Sequence, residues 1–156
     1  MTSDAQDPDA LSTERLRLWL RTLRAVRSVE GRLRERLRAE FGTTLPRFDV
    51  MATLYAAPEG LRMSELSRLL VVSNGNVTGV VDRLVAEGLL HRCAVEGDRR
   101  AVRIRLTPAG LALAEAMIAA HRGWIDAALA AVDRDAAAEA GRVMRAIRHG
   151  RDGAGR

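Results

Sequence analysis

Between residues 12 and 41, apolar side chains recur at intervals of three, four or seven positions. The series is Trp19, Leu23, Val26, Leu33, Leu37 and Phe41. This spacing places them on one face of a helix, whose other face is rich in arginine. A long first helix is therefore predicted, capped by Ser12 or Thr13 and ended by Gly42. Residues 1–11 are polar and contain a proline, which predicts a disordered tail.

Three short amphipathic helices are predicted between residues 46 and 88. Pro46 suits the start of the first, and Pro58 and Gly60 end it. Ser64 is the expected N-cap of the second, and Gly88 ends the third. The residues expected to face inward are Phe48, Met51, Leu54 and Tyr55 in the first helix, Leu66, Leu69 and Leu70 in the second, and Val77, Val80, Val81 and Leu84 in the third.

Two β-strands are predicted next, at residues 89–95 and 101–106, because apolar and basic residues alternate in the second run. Residues 96–100 would join them, and residues 61–63 would form a minor strand. Thr107 and Pro108 are typical of a helix start. They predict a long helix to about residue 131, followed by another over residues 133–148 and a Gly-rich, disordered tail at residues 149–156.

The predicted fold class is mainly α, with about six helices and a small antiparallel β-wing. Residues 46–107 have the element order of a winged helix-turn-helix DNA-binding domain. Residues 12–45 and 108–148 are expected to be dimerisation helices. They carry more apolar surface than one thin protomer can cover, so a homodimer is expected.

Charge and cysteine content limit the classes of protein to which the chain can belong. The 156-residue chain has a formal net charge of +5, and all 25 basic residues are arginine. Arginine makes bidentate contacts with phosphate and guanine, although GC-rich codon usage would give the same bias. The single cysteine, Cys93, excludes an intrachain disulfide and a Cys₂-type zinc finger. No apolar run approaches the roughly 20 residues of a membrane span, and the acidic N-terminus differs from a signal peptide, so a cytoplasmic protein is expected.

The second and third short helices have the dimensions of a helix-turn-helix, whose second helix can enter a DNA major groove. Asn74 and Asn76 lie in the turn where that helix begins. Each is either a base contact, since asparagine pairs with adenine, or a turn and cap residue. Gly79 on the outer face either permits close approach to DNA or is tolerated at a surface. The candidate DNA-binding residues are Ser64, Ser73, Asn74, Asn76, Thr78, Gly79, Arg83, Asp98, Arg99 and Arg100.

The predicted hairpin is rich in arginine. It carries Arg92, Arg99, Arg100, Arg103 and Arg105. It therefore offers positive charge to phosphate or to a minor groove.

Residues 63–110 resemble the MarR family of bacterial transcriptional regulators. The matching residues are Ser64, Glu65, Leu66, Val77, Thr78, Val81, Leu84, Gly88, Leu89, Leu90, Arg92, Asp98, Arg99, Arg100, Leu106, Thr107, Pro108, Ala109 and Gly110. The flanking helices match by length and order.

The resemblance implies a homodimeric winged helix-turn-helix protein, typically a repressor that releases operator DNA on binding a small aromatic or phenolic effector. It implies that residues 76–87 read the major groove. Arg100 would enter the minor groove, steadied by Asp98. The first helix and the last two would form the dimer interface.

The sequence allows more than one role for the tryptophans, the cysteine and the histidines. Trp19 and Trp124 either line a ligand cleft or pack in the core or interface. Cys93 lies in the wing rather than in the first helix, where peroxide-sensing relatives carry their cysteine. His91, His121 and His149 lack ligand-like spacing, so no metal or other cofactor is expected. A winged helix that binds protein instead of DNA is the main rival, and no catalytic motif favours an enzyme.

Overall fold

The computed structural model describes residues 8–70, 76–95 and 98–149, without the side chains of residues 8, 95, 98–101, 148 and 149. The elements, in chain order, are helices α1 (Pro8–Phe41), α2 (Leu45–Tyr55), α3 (Met63–Leu69) and α4 (Val77–Ala86), strands β1 (Leu90–Val95) and β2 (Asp98–Leu106), and helices α5 (Pro108–Ala128) and α6 (Arg134–His149). Within this described part, six helices and one two-stranded antiparallel sheet confirm the predicted fold class.

Helix α1 begins at Pro8, four residues before the predicted start, so residues 8–11 do not belong to a disordered tail. Proline is favourable in the first turn, and Asp9 beside it complements the positive end of the helix dipole. Thr13 is not a cap, because its hydroxyl donates to the Asp9 carbonyl, one turn back within the helix, at 2.9 Å.

The end of α1 was predicted correctly. Gly42 has a φ of 60°, the left-handed conformation that glycine adopts without strain. Its N–H donates to the Arg38 carbonyl at 3.1 Å, and the N–H of Thr43 donates to the Leu37 carbonyl at 3.2 Å. The Gly42–Arg38 bond is that of the αL motif, and both bonds satisfy carbonyls that the helix leaves unpaired.

Two compact units divide the chain between Arg122 and Gly123. In the first, the core is built from aliphatic residues of several helices and of the sheet. Its fully buried members include Leu37, Met51, Leu54, Leu66, Val81, Leu84, Ile104 and Met117. The ring of Phe48 in α2 lies 4.8 Å from that of His121 in α5, centroid to centroid. Burial lowers the pKa of His121, because desolvation disfavours the imidazolium.

Two predicted core residues are exposed. Leu69, the last residue of α3, is 54% exposed, and Tyr55, the last residue of α2, is 37% exposed. The Tyr55 hydroxyl donates to the Glu115 carboxylate at 3.5 Å, which directs the ring to the surface. Both residues lie at the end of a short helix, where the next residues turn away and helical spacing no longer decides burial.

The N-cap of α3 also differs from the prediction. It is Arg62, and Ser64 is already the second helical residue. The Glu65 carboxylate accepts a hydrogen bond from the Arg62 N–H at 2.7 Å, so it satisfies a donor that the helix leaves unpaired. That bond lowers the pKa of Glu65.

Residues 60 and 61 connect the helices to the sheet. Leu61 and Ile104 form an isolated antiparallel bridge, so the minor strand predicted over residues 61–63 is reduced to Leu61, and Met63 already belongs to α3. Gly60 has a φ of 76°, and a Cβ on it would lie 2.7 Å from the Ile104 carbonyl oxygen. Only glycine fits this close approach without displacement of the strand.

The start of α5 matches its prediction. The Thr107 hydroxyl accepts from the Gly110 N–H at 3.0 Å and donates to the Gly88 carbonyl at 2.7 Å. One side chain therefore caps α5 and holds the segment that leaves α4. A Cβ at Gly110 would collide with the Leu89 carbonyl, so this contact also requires glycine.

The second compact unit contains the end of α5 and all of α6. Helix α5 ends at Ala128, three residues earlier than predicted, and α6 extends one residue further, to His149. Asp133 caps α6, with its Oδ1 accepting from the Ala136 N–H at 2.8 Å. The assignment of α1, α5 and α6 to dimerisation stays a prediction.

Candidate nucleic-acid interface

Helix α4 has one buried and one exposed face, as predicted. Val81 and Leu84 are completely buried in the core of the first unit. Thr78, Asp82 and Arg83 are exposed on the opposite face. A helix held by its apolar face in this way can present its polar face to a DNA groove.

Asn76 is the N-cap of α4. Its Oδ1 accepts a hydrogen bond from the Gly79 N–H at 2.9 Å, so the cap alternative is the one that the structure supports. Bidentate pairing with adenine needs the same oxygen. That oxygen has two lone pairs, so the cap alone does not exclude a contact with a base.

Gly79 has a role that neither sequence-based alternative included. A Cβ built on it would lie 2.6 Å from Nδ2 and 3.1 Å from Cγ of Asn76. The absence of a side chain makes room for the capping amide. This packing explains a helix-weakening residue in the first turn of α4 without invoking DNA.

The remaining candidate DNA-binding residues of the helix-turn-helix are Ser64, Ser73 and Asn74. Ser64 is exposed in the first turn of α3. Ser73 and Asn74 lie outside the described residues. The predicted DNA-binding roles of Ser64, Ser73 and Asn74 stay predictions.

The wing differs from its prediction at the hairpin end. Strand β2 begins at Asp98, so the backbone of Asp98, Arg99 and Arg100 is part of the strand and not of the predicted connecting segment. Leu90 to Ala94 pair regularly with Leu106 to Val102, and the register then shifts, so that Val95 faces Asp98. Such a shift lets extra residues of β2 extend the hairpin. The side chains of Asp98, Arg99 and Arg100 are outside the description.

Three of the five hairpin arginines make contacts within the protein. Nη1 of Arg103 donates to the Gly60 carbonyl at 2.6 Å, and Nε of Arg105 donates to the Pro58 carbonyl at 3.0 Å. Arg92 forms an ion pair with Asp82 of α4. These contacts connect the wing to the helical body, and the charge that the hairpin would offer to DNA stays a prediction.

A second connection involves residues that the sequence analysis missed. Nη1 of Arg47 in α2 donates to Oε1 of Glu87 at 2.7 Å, and Nη2 contacts Oε2, so the pair is bidentate. Its hydrogen bonds raise the pKa of Arg47 and lower that of Glu87. The partners are 40 positions apart and at no diagnostic spacing, so no local pattern could reveal them.

A third group lies between α1 and α2. Oδ2 of Asp49 is buried and has no hydrogen-bond partner among the described residues. Desolvation, followed by repulsion from Glu30, raises its pKa to about 6, although Arg34 acts in the opposite direction. Glu30 and Arg34 form an ion pair at 2.9 Å on α1.

The two tryptophans belong to different compact units, Trp19 to the first and Trp124 to the second. Trp19 on α1 is 57% exposed, and Trp124 on α5 is half-buried. A half-open, mainly apolar cavity of about 330 Å³ lies at the base of the wing, between the end of α2 and the start of α5. Neither tryptophan lines it; its walls include Leu54, Tyr55, His91, Arg105 and Leu111.

Metal chemistry finds no support in the described part of the chain. No group of three or more His, Cys, Asp and Glu residues there could hold an ion. Cys93 is half-buried on β1, opposite Arg103. In the same residues, no helix is long and apolar enough to cross a membrane.

Comparison with known proteins decides the family. A family model described as the MarR family matches residues 41–101. The crystal structure of a MarR family transcriptional regulator from Silicibacter pomeroyi superposes with a TM-score of 0.77 at 35% sequence identity, over 96% of this chain and 99% of that one. The chain belongs to the MarR family. Membership agrees with the expectation of a transcriptional regulator rather than an enzyme.

Two further members are informative. The chain is 33% identical to the HTH-type transcriptional regulator PecS of Dickeya dadantii over 102 residues, which is 64% of this chain and 61% of PecS. It thus matches about three fifths of the length of that relative. A MarR family regulator from Streptomyces coelicolor, solved in complex with DNA, has a TM-score of 0.78 at 21% identity over 93% of this chain and 92% of its own. At that identity the likeness concerns the MarR fold alone.

Proposed function

We propose that this MarR family member is a sequence-specific DNA-binding regulator that acts as a homodimer in the cytoplasm. The observation that carries the proposal is the joined pair of surfaces formed by α4 and the wing. The exposed face of α4 bears Thr78 and Arg83, and the Asp82–Arg92 ion pair connects that helix directly to β1. A helix and a hairpin held together in this way can occupy a major groove and the adjoining minor groove at once.

Arg83 is the strongest candidate for direct base recognition. Its side chain is exposed in the last turn of α4, and a guanidinium can donate two hydrogen bonds to the O6 and N7 atoms of guanine. Thr78, two positions after the cap, provides a smaller contact on the same helix. Arg100 and Asp98 are assigned to the minor groove on the strength of the sequence resemblance.

Dimerisation is proposed from apolar surface that the single chain leaves exposed. Leu16 and Trp19 on α1 and Ile147 on α6 are each 57% exposed, and Val26 on α1 is 49% exposed. Large apolar side chains in such numbers along helices are typical of a surface that a partner covers. A two-fold dimer would present two copies of α4 to a pseudo-palindromic operator.

The proposed regulatory outcome is repression that a small effector relieves. A repressor that a small aromatic or phenolic effector releases from DNA fits the family resemblance. The cavity at the base of the wing is of the size that suits such a ligand, since small-molecule sites begin at about 300 Å³. We place the effector in a cleft of this kind, and Trp19 and Trp124 remain candidates for further ligand contacts.

Arg83→Ala tests DNA binding by α4. The wild-type protein is first used to enrich duplexes from a random-sequence pool, and the affinity of both proteins is then measured on the enriched duplex and on random DNA. The variant should lose about 1–3 kcal/mol on the enriched duplex and relax its preference at one base pair per half-site. Exposed Arg122 on α5 provides a matched control, since Arg122→Ala changes the charge equally and should retain the preference. Equal losses on both DNAs would show that Arg83 contacts phosphate only.

A further inference from the structure

The guanidinium of Arg47 joins the end of α1 to the end of α4. Its Nε donates to Oγ1 of Thr43 at 3.2 Å, and its two terminal nitrogens donate to the two oxygens of Glu87. All three nitrogens of the planar group are thus engaged. A lysine could not replace them, because its single ammonium cannot span both partners with fixed geometry.

The backbone holds both anchors in place. Thr43 is buried and follows Gly42 in the left-handed turn that ends α1. Glu87 is the C-cap of α4; its N–H donates to the Arg83 carbonyl at 2.9 Å, and Gly88 follows with a φ of 74°. The bridge therefore connects two helix ends whose backbone conformations are fixed by their own hydrogen bonds.

We propose that Arg47 and Glu87 are positioning residues that set the orientation of α4 relative to α1. This inference rests on the proposed function, in which the first half of α1 contacts the partner protomer and α4 reads DNA. Under that arrangement, the Arg47–Glu87 bridge determines how the two copies of α4 are presented to two half-sites. Arg83 lies one turn before Glu87, so a rotation of the helix end would displace it directly.

The alternative role for Arg47 is direct phosphate contact. Its side chain is only 23% exposed, and the Glu87 carboxylate neutralises its charge. The two roles predict opposite effects of Glu87→Gln. Removal of an acid near a phosphate contact strengthens binding to any DNA, whereas loss of a positioning bond weakens binding to the selected sequence alone.

Arg47→Lys and Glu87→Gln are measured by fluorescence anisotropy on the duplex enriched by the wild-type protein and on random DNA, at one salt concentration. The positioning role predicts that each variant binds the enriched duplex about tenfold more weakly, which corresponds to about 1.4 kcal/mol, and that random DNA is bound as well as before or better. Urea unfolding in parallel verifies that both variants are folded. Glu87 is 47% exposed, so Glu87→Gln is the gentler of the two changes.

Glu40→Gln is the matched control. Glu40 is 40% exposed and paired with Arg36 at 3.0 Å, so the substitution removes the same charge from a similar ion pair. That pair lies within α1 and joins no second element, and its loss should leave the ratio of the two affinities unchanged.

The outcomes distinguish failure of the positioning role from failure of the proposed function. An unchanged affinity ratio in both variants, with a wild-type protein that prefers its enriched duplex, overturns the positioning role alone. A wild-type protein that enriches no sequence overturns the proposed function, and the positioning role with it. A tenfold loss restricted to the enriched duplex, absent in Glu40→Gln, supports both.

Discussion

Gly79 and Asn76 are hydrogen-bonded and closely packed at the start of α4. The backbone N–H of Gly79 donates to Oδ1 of Asn76 at 2.9 Å, and a Cβ on Gly79 would approach Nδ2 of Asn76 to 2.6 Å. A side chain at position 79 would therefore require the terminal amide of the capping Asn76 to shift. The two residues should be coupled energetically.

A double-mutant cycle tests that coupling. Asn76→Ala alone should cost about 1 kcal/mol, the usual value of an N-cap. Gly79→Ala should stabilise the Asn76→Ala protein by about 0.8–1.0 kcal/mol through helix propensity. In the wild-type background the same substitution displaces the cap, so the gain should vanish. Urea unfolding of the four proteins measures the cycle, and additive effects would show that Asn76 and Gly79 are not coupled.

The wing prediction concerns Asp98 and Arg100. Arg100→Ala should weaken binding to the enriched duplex strongly while fold and dimer persist, because a narrow minor groove attracts an inserted arginine. Asp98→Ala should also weaken binding, if the carboxylate steadies that guanidinium. Simple electrostatics gives the opposite sign, since the loss of an acid near DNA should help. Tighter binding by Asp98→Ala would reduce the wing to a generic basic surface.

Asp49 should make stability depend on pH in an unusual direction. Its folded pKa of about 6 lies above the ordinary aspartate pKa of 3.8, so the folded state holds a proton that the unfolded state releases between these values. This group's contribution is therefore fully present below pH 3.8, declines as the pH rises, and is lost above about pH 6.

Asp49→Asn should consequently be more stable than the wild type at pH 7, by at most about 3 kcal/mol, and should lose this advantage near pH 4. Urea unfolding at several pH values gives the difference. Glu59→Gln, a neutralisation of an acid that is 91% exposed, serves as the control and should change little at any pH. A less stable Asp49→Asn protein at pH 7 would mean that the carboxylate has a favourable partner when ionised.

The dimer hypothesis makes a prediction about α1. Light scattering should give about twice the chain mass of 17.0 kDa at micromolar concentration. Leu16→Glu should shift the equilibrium towards the monomer, because it places a charge in the apolar surface. Ala25 is exposed nine positions further along α1, which is the opposite face of the helix, and Ala25→Glu should leave the dimer intact. A folded monomer that still binds DNA tightly would contradict the hypothesis.

Local signals in the sequence predicted much of this fold. Gly42, Gly88 and Thr107 end or begin helices because of their own backbone and side-chain chemistry, so their roles could be identified without tertiary information. Leu69 and Tyr55 could not be assigned correctly, because burial at a helix end depends on where the chain goes next.

The candidate site was less predictable than the fold, because the sequence shows which residues are charged but not which groups they contact. Arg92, Arg103 and Arg105 resemble DNA contacts in the sequence, yet each one makes contacts within the protein. The Arg47–Glu87 bridge was not predicted for the same reason, since its two residues come together only in the folded chain.

The most direct test of the whole account is the sequence that the wild-type protein enriches from a random DNA pool. A two-fold dimer with one α4 per half-site predicts a pseudo-palindrome whose half-sites are centred about 10 base pairs apart, or a multiple of that spacing. The flanking minor grooves should be rich in A·T pairs, where the wing arginine would insert. Failure to enrich any sequence, or enrichment of a single asymmetric site, would contradict it.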